Sequence, residues 1–249
     1  MDIDHVMLGL VGKTRTVSNN DLSIIIPTHN ESENLPVLLG SISRELGTLC
    51  HYEVVVVDDN SSDGTREVLS YLNGTYENVR VVARPRKMGI SSALLDGFMA
   101  SNGRFLAVID ADLQHPPEVL PKMFKEVING ADLVIASRYE DGGRVEGWSP
   151  WRRMVSRVAT YMAHCIPQAK RTKDPLSGCF VFKRDAVDIK RLDGIGCKLL
   201  LEVLAKGTSR RVVDVPYVFR SRSRGNSKLD LSEYLNFLRL LSKLLWADT

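Results

Sequence analysis

The stretch Phe105-Leu106-Ala107-Val108-Ile109-Asp110-Ala111-Asp112-Leu113-Gln114 sets a continuous apolar run directly against two carboxylates. A short Val- and Ile-containing run of this kind reads as a strand buried on both faces of a mostly parallel sheet. Extended backbone beyond it would send Asp110 and Asp112 to one side, with Ala111 opposite and Gln114 continuing the alternation. Two hard oxygen ligands on one rim suit Mg²⁺ or Mn²⁺ bridging a diphosphate, and Gln114 offers a neutral oxygen to the same ion. By itself an Asp-x-Asp pair is a weak sign, since two solvated loop acids are the ordinary alternative.

The neighbourhood strengthens it. Working outward, further strand candidates lie at Leu22–Ile26, Glu53–Val57, Val79–Val82 and Asp132–Ala136. The stretches between them, Glu31–Leu46, Gly64–Leu72, Gly89–Ser101 and Glu118–Ile128, carry helical patterning. Strands alternating with helices form a βαβ series, and hence an open α/β sandwich. Such a sheet binds ligands just beyond the carboxyl ends of its strands. The residues there are Pro27-Thr28-His29-Asn30-Glu31, Asp58-Asp59-Asn60-Ser61, the Asp110–Gln114 run and Ser137-Arg138-Tyr139. Asp58 to Thr65 carries ordinary turn and helix-capping residues, while Asp59 is placed to reach a nucleobase or ribose.

After residue 140 the rhythm changes. Trp151, Met154, Val155, Val158, Met162 and Ile166 recur at helical spacing, and a strand-like run covers Gly178–Phe182. An apolar helix near Lys198–Ala205 and a strand near Arg211–Phe219 follow. A last amphipathic helix spans 231–246, with apolar residues at 231, 234, 235, 238, 241 and 245. Residues 1–20 read as a flexible tail and 21–249 as one domain. Within the tail, Gly9-Leu10-Val11-Gly12-Lys13-Thr14 mimics a phosphate loop, but Met7 stands where its first glycine belongs.

Composition bounds the rest. The chain has 249 residues, 44% apolar and 25% charged, with net charge +3, which suits one folded domain. Basic residues gather in two segments: seven from Arg144 to Lys173, and seven from Lys206 to Lys228. Those segments suit an anionic partner or a solvated face. The basic segments are expected to lack interleaved surface aromatics and carry no reading motif, which argues against nucleic acid. The four cysteines have no metal spacing and suit a reducing compartment. No run approaches the ~18–20 apolar residues of a membrane span, so membrane contact is expected to be peripheral.

Taken in order, Pro27–Glu31, Val57-Asp58-Asp59, Asp110-Ala111-Asp112, Ser137-Arg138-Tyr139 and Arg222-Ser223-Arg224-Gly225-Asn226-Ser227-Lys228 resemble glycosyltransferase family 2. The likeness, joined by Asp174-Pro175-Leu176-Ser177-Gly178, is to its dolichyl-phosphate mannosyltransferase branch and runs from Leu22 to the C-terminus. It implies the GT-A fold, a Rossmann-like sandwich with a mostly parallel central sheet and helices on both faces. Pro27, His29, Glu31, Val57, Asp59, Asp110, Ala111, Asp112, Arg222 and Lys228 would then contact the nucleotide sugar. Asp110, Asp112 and Gln114 would hold the metal, with Asp112 and Arg222 catalytic, and Arg138 and Arg153 would bind an acceptor phosphate. His29 departs from the branch, where tyrosine is usual. The implied reaction is inverting transfer of mannose from GDP-mannose to a dolichyl or polyprenyl phosphate. It would take place at the cytosolic face of a membrane (endoplasmic reticulum or plasma membrane), with an anchoring subunit as partner. The alternatives are another donor such as UDP-glucose, a soluble or polysaccharide acceptor, or a noncatalytic sugar-nucleotide-binding subunit.

Overall fold

A computed structural model describes residues 21–221 and 231–246. Its strands are β1 (Leu22–Thr28), β2 (Tyr52–Asp58), β3 (Val79–Ala83), β4 (Phe105–Val108), β5 (Leu133–Ser137), β6 (Arg144–Val145), β7 (Phe180–Lys183), β8 (Val212–Pro216) and β9 (Val218–Phe219). Its helices are α1 (Leu35–Leu46), α2 (Thr65–Thr75), α3 (Ile90–Ala100), α4 (Leu120–Ile128), α5 (Pro150–Ala163), α6 (Leu199–Lys206) and α7 (Leu231–Trp246).

Seven strands form one sheet in the order β3-β2-β1-β4-β7-β5-β8. All are parallel except β7, which runs antiparallel between β4 and β5. Alternation along β1 divides the core. Leu22, Ile24 and Ile26 face one layer with α1, α2 and α4, while Ile25 faces the other with α3, α6 and α7. Gly97 lets α3 lie close on the sheet, because a Cβ there would meet Ile25 Cγ2 at 2.4 Å. The order reverses at β1: the chain adds β2 and β3 on one side, then crosses to place β4 on the other. That reversal opens a crevice beyond the carboxyl ends of β1, β2 and β4.

Three expectations shift in detail. The first helix starts at Leu35 rather than Glu31. Residues 29–34 are instead tied to the loop after β2, through Asn30 N to Ser61 Oγ (2.8 Å), Ser62 N to Asn30 Oδ1 (2.9 Å) and Glu31 N to Thr65 Oγ1 (3.0 Å). The expected strand near 211–219 divides in two. Pro216 ends β8 beside Ser137, and Val218 and Phe219 join β6 in a separate ribbon. In α7 the core-facing residues are Leu240, Leu241 and Leu244, whereas Tyr234, Leu235, Leu238 and Leu245 of the expected apolar stripe are exposed. Trp151, Met154 and Val158 of α5 are exposed as well. A single apolar stripe covers more of each helix than the core has room to receive.

Candidate active site

The strand leading to the paired acids ends at Val108, two residues before Asp110. Residues 111–115 form a bend, with Leu113 at φ 61°, so pleat alternation does not position the two carboxylates. This corrects the simple extended-strand argument. Asp110 keeps 35% of its side chain exposed. Asp112 is buried and accepts the Gln114 amide N–H at 3.1 Å. Ala111 packs its methyl into the core beneath them, so its expected contact with the sugar nucleotide is left to its backbone.

Gln114 is turned toward the chain after β9. Its Nε2 donates to the Arg220 carbonyl at 3.1 Å, and Arg220 N donates back to the Gln114 carbonyl at 2.9 Å. Among the described residues no cluster of three or more His, Cys, Asp or Glu could hold a metal. Two neighbouring carboxylates nevertheless fit Mg²⁺ or Mn²⁺ when substrate phosphates complete the shell, which is the usual arrangement for these ions.

The loop after β2 uses its acids inward. Asp58 is fully buried, accepts from Ser61 N and pairs with Arg66 Nε at 3.2 Å. Asp59 accepts three bonds: Arg84 Nη1 at 2.9 Å, Met88 N at 2.9 Å and Gly89 N at 2.8 Å. Asp59 therefore fixes the loop that opens α3 and draws in Arg84, a residue that spacing alone does not single out. Arg84 also lies 3.0 Å from Asp96 Oδ2 and donates to Ser92 Oγ at 2.8 Å. Pro27 is buried on β1, opposite Val57 in the sheet register. The Val57 side chain lies wholly within the core against α3, so the expected contact with the base cannot come from it. His29 and Glu31 line the crevice half-buried, and Glu31 Oε2 accepts from Asn34 Nδ2 at 2.6 Å.

Arg138 departs most from expectation. Its guanidinium is buried and paired with Asp174, which is also buried. Burial works to lower its pKa, but hydrogen bonds and charge from Asp174 outweigh that and hold it above the ordinary arginine value. Trp148, Phe219 and Tyr139 supply ring faces around the cation. Arg153 is exposed on α5 and donates to the Val145 carbonyl at 3.4 Å. The two arginines thus do not form one phosphate cradle, because Arg138 already has its carboxylate. Arg222 and Lys228 lie outside the described residues.

The antiparallel β7 supplies what spacing could not. Val108 pairs with Phe180, and continuing that register by two residues sets Gly178 opposite Asp110. A Cβ on Gly178 would lie 2.7 Å from Asp110 Oδ2 and 3.1 Å from His115 Nε2. The segment 174–178 is held to β5 through Arg138–Asp174 and through Ser177 Oγ, which donates to the Ala136 carbonyl at 2.7 Å. Asp174–Gly178 was legible as a motif; its approach to Asp110 was not.

The sequence model described as Glycosyl transferase family 2 matches residues 23–189. The chain belongs to this family. A dolichol-phosphate mannosyltransferase of Pyrococcus furiosus is 43% identical over 90% of this chain, which spans 63% of that relative's length. The enzyme of the same name from Saccharomyces cerevisiae is 34% identical, over 90% of this chain and 86% of its own. Among solved structures, glucosyl-3-phosphoglycerate synthase of Mycobacterium tuberculosis with Mn²⁺, UDP and glucosyl-3-phosphoglycerate matches with TM-score 0.63 and 20% identity. That match covers 99% of this chain and 84% of the other. The same enzyme with Mn²⁺ and UDP-glucose also matches with TM-score 0.63. The fold is thus of the GT-A type, with a mixed central sheet flanked by helices, and the chain is a glycosyltransferase of that type.

The expectation of GDP-mannose as donor and a dolichyl or polyprenyl phosphate as acceptor is corrected. Solved relatives of this fold hold UDP-glucose with phosphoglyceric acid or glycerol 3-phosphate. Within this chain the expected acceptor-phosphate site joined Arg138 to Arg153, and Asp174 occupies the Arg138 guanidinium. The expected membrane partner falls with that acceptor. Among the described residues no helix is long and apolar enough to cross a membrane.

Proposed function

We propose that this chain transfers a hexose from a nucleoside-diphosphate sugar to a phosphorylated acceptor by a single inverting displacement. The observation that carries the reading is the position of Asp110 and Asp112. They follow β4 at the sheet's reversal point, beside the crevice bordered by residues 29–31 and the Asp59 loop. UDP-glucose with a soluble phosphate monoester is the donor and acceptor pair we favour, as in the solved relatives with Mn²⁺.

Asp110 and Asp112 would hold Mg²⁺ or Mn²⁺, and Mn²⁺ is present with UDP-glucose in the solved structure. Such an ion supplies positive charge against the departing diphosphate. Asp59 keeps the 88–89 backbone in place beside the nucleotide, while His29 and Glu31 border the crevice. Arg153 is exposed and open to an anionic acceptor. A hydroxyl oxygen of such an acceptor would form the new bond to the anomeric carbon as the bond to the diphosphate breaks, its proton passing to a departing-diphosphate oxygen or to solvent. The acceptor phosphate, with a second pKa of about 6, supplies the charge that holds it in place. Positioning and charge neutralisation then carry the rate.

The test is a turnover screen with UDP-glucose and GDP-mannose against glycerol 3-phosphate, phosphoglycerate and a short polyprenyl phosphate, with and without Mn²⁺. Asp112→Asn keeps an acceptor for the Gln114 N–H, so the fold should persist while turnover falls by about 10²-fold or more. Full turnover in chelator, or in Asp112→Asn, would remove the metal-dependent reading. Transfer to the lipid phosphate alone would replace the favoured acceptor.

A further inference from the structure

His115 is 3% exposed, and its Nε2 lies 3.5 Å from Asp110 Oδ2. It follows the metal-ligand candidates directly, and the sequence drew no attention to it. Its ring is stacked on Tyr217, with centroids 5.4 Å apart and planes at 17°, and meets the edge of Phe219 at 5.1 Å and 85°. Behind it, Gln114 is bonded twice to Arg220. Ahead of it stand Pro116 and Pro117, which restrict the backbone. The imidazole is therefore held by Tyr217, between β8 and β9, and by Phe219 of β9, with Nε2 facing Asp110.

We infer that His115 is a positioning residue that orients the Asp110 carboxylate for a divalent cation, and that Gly178 keeps the space in which the two meet. This rests on the metal reading proposed above. A carboxylate with one oxygen engaged by a fixed donor presents the other in a defined direction, and such outer partners tune metal affinity. The ring nitrogen placed to donate to the carboxylate is Nε2. That nitrogen faces Asp110, whereas buried Nδ1 has no hydrogen-bond partner among the described residues. The separation is long for a hydrogen bond, and a cation drawing one Asp110 oxygen would leave the other to meet the ring. Gly178 completes the arrangement, since a methyl there would lie 2.7 Å from Asp110 Oδ2 and 3.1 Å from His115 Nε2.

The experiment titrates Mn²⁺ into the full chain with UDP present, and in parallel with GDP, reading unbound Mn²⁺ by electron paramagnetic resonance. His115→Phe keeps the stacking ring and removes the donor; it should weaken Mn²⁺ binding by about tenfold or more. His115→Gln restores an N–H near the Nε2 position and should recover most of that loss. Gly178→Ala should weaken Mn²⁺ with His115 intact, by pushing the carboxylate from its partner. If the parent chain binds no Mn²⁺ with either nucleotide, the metal reading and this inference fall together. If the parent binds but His115→Phe stays within about twofold, or His115→Gln is as impaired as His115→Phe, only this inference is overturned. Should His115→Phe fail to fold, the same titration of His115→Gln and Gly178→Ala decides: Gln near the parent with Ala weakened supports it, and any other pattern overturns it.

Discussion

The Arg138 guanidinium grips Asp174 through two parallel hydrogen bonds, Nε to Oδ2 at 2.8 Å and Nη2 to Oδ1 at 2.6 Å, with both side chains buried. The Arg138 backbone N–H adds a third bond, to Oδ2 at 2.9 Å. The pair joins the end of β5 to the segment that carries Gly178 toward Asp110. Its place in the fold is that of a clamp, and this has a measurable consequence.

Removing one partner of a buried ion pair leaves the other charge without compensation, which costs about 3–5 kcal/mol. Arg138→Ala and Asp174→Ala should each lower stability by about that amount in urea unfolding. Arg138→Met combined with Asp174→Leu should recover much of the loss, because two apolar groups leave no buried charge. Near-parental stability in Arg138→Ala, with a large rise in acceptor KM, would make Arg138 an acceptor-binding residue after all.

Asp59 accepts two backbone N–H groups and one guanidinium N–H. Asn at this position has one acceptor oxygen and an NH2 group with two N–H donors in place of two acceptor oxygens, so at least one buried bond is lost. Asp59→Asn should destabilise the chain by about 1–3 kcal/mol and weaken UDP binding in calorimetry. A ligand contact alone would weaken UDP while leaving the unfolding midpoint where it was.

Asp132 accepts from Lys183 Nζ at 2.7 Å and from the backbone N–H groups of Arg210 and Arg211, both at 2.9 Å. The Lys183 hydrogen bond, followed by the backbone bonds, lowers its pKa to about 2. A carboxylate depressed in the folded state stabilises above its unfolded pKa, about 3.9. That contribution is lost as pH falls through about 2. The parent should therefore lose stability more steeply than Asp132→Asn between those two values. Thermal midpoints across an acid series would show it, and parallel curves would count against the Asp132 assignment.

The cysteines differ in reactivity for physical reasons. Burial, with a smaller push from Asp21, raises the Cys50 thiol to about 12. Burial also raises Cys197 to about 11 and Cys179 well above its ordinary value. Cys165 is exposed. Because the thiolate is the nucleophile, iodoacetamide at mildly alkaline pH should modify Cys165 first in the folded chain. Peptide mass analysis after brief labelling reads this directly, and early modification at Cys179 would show that the core opens.

Much of the fold follows from local chemistry alone. The five parallel strands read in order from β1 to β5 announce themselves by short, largely apolar runs. Each of those runs either stays buried on both faces or leaves apolar surface in water. The polar residues placed after them were legible for the same reason, since ligands gather at the carboxyl ends of such strands. Side-chain commitments were not legible. Whether Arg138 is free for phosphate depends on Asp174, 36 residues away along the chain, and only packing brings them together. Asp59 likewise turned out to serve Arg84 and the 88–89 backbone. The insertion of β7 in reverse between β4 and β5 was beyond local reading too, because one short apolar run pairs equally well in either direction. That reversal brings Gly178 to Asp110 and, through it, to His115. Sequence alone thus settled which segments follow the carboxyl ends of the strands, through burial of the strands that deliver them. Tertiary structure settled which of them remain available there, because a charge already paired in the interior has no need of a ligand.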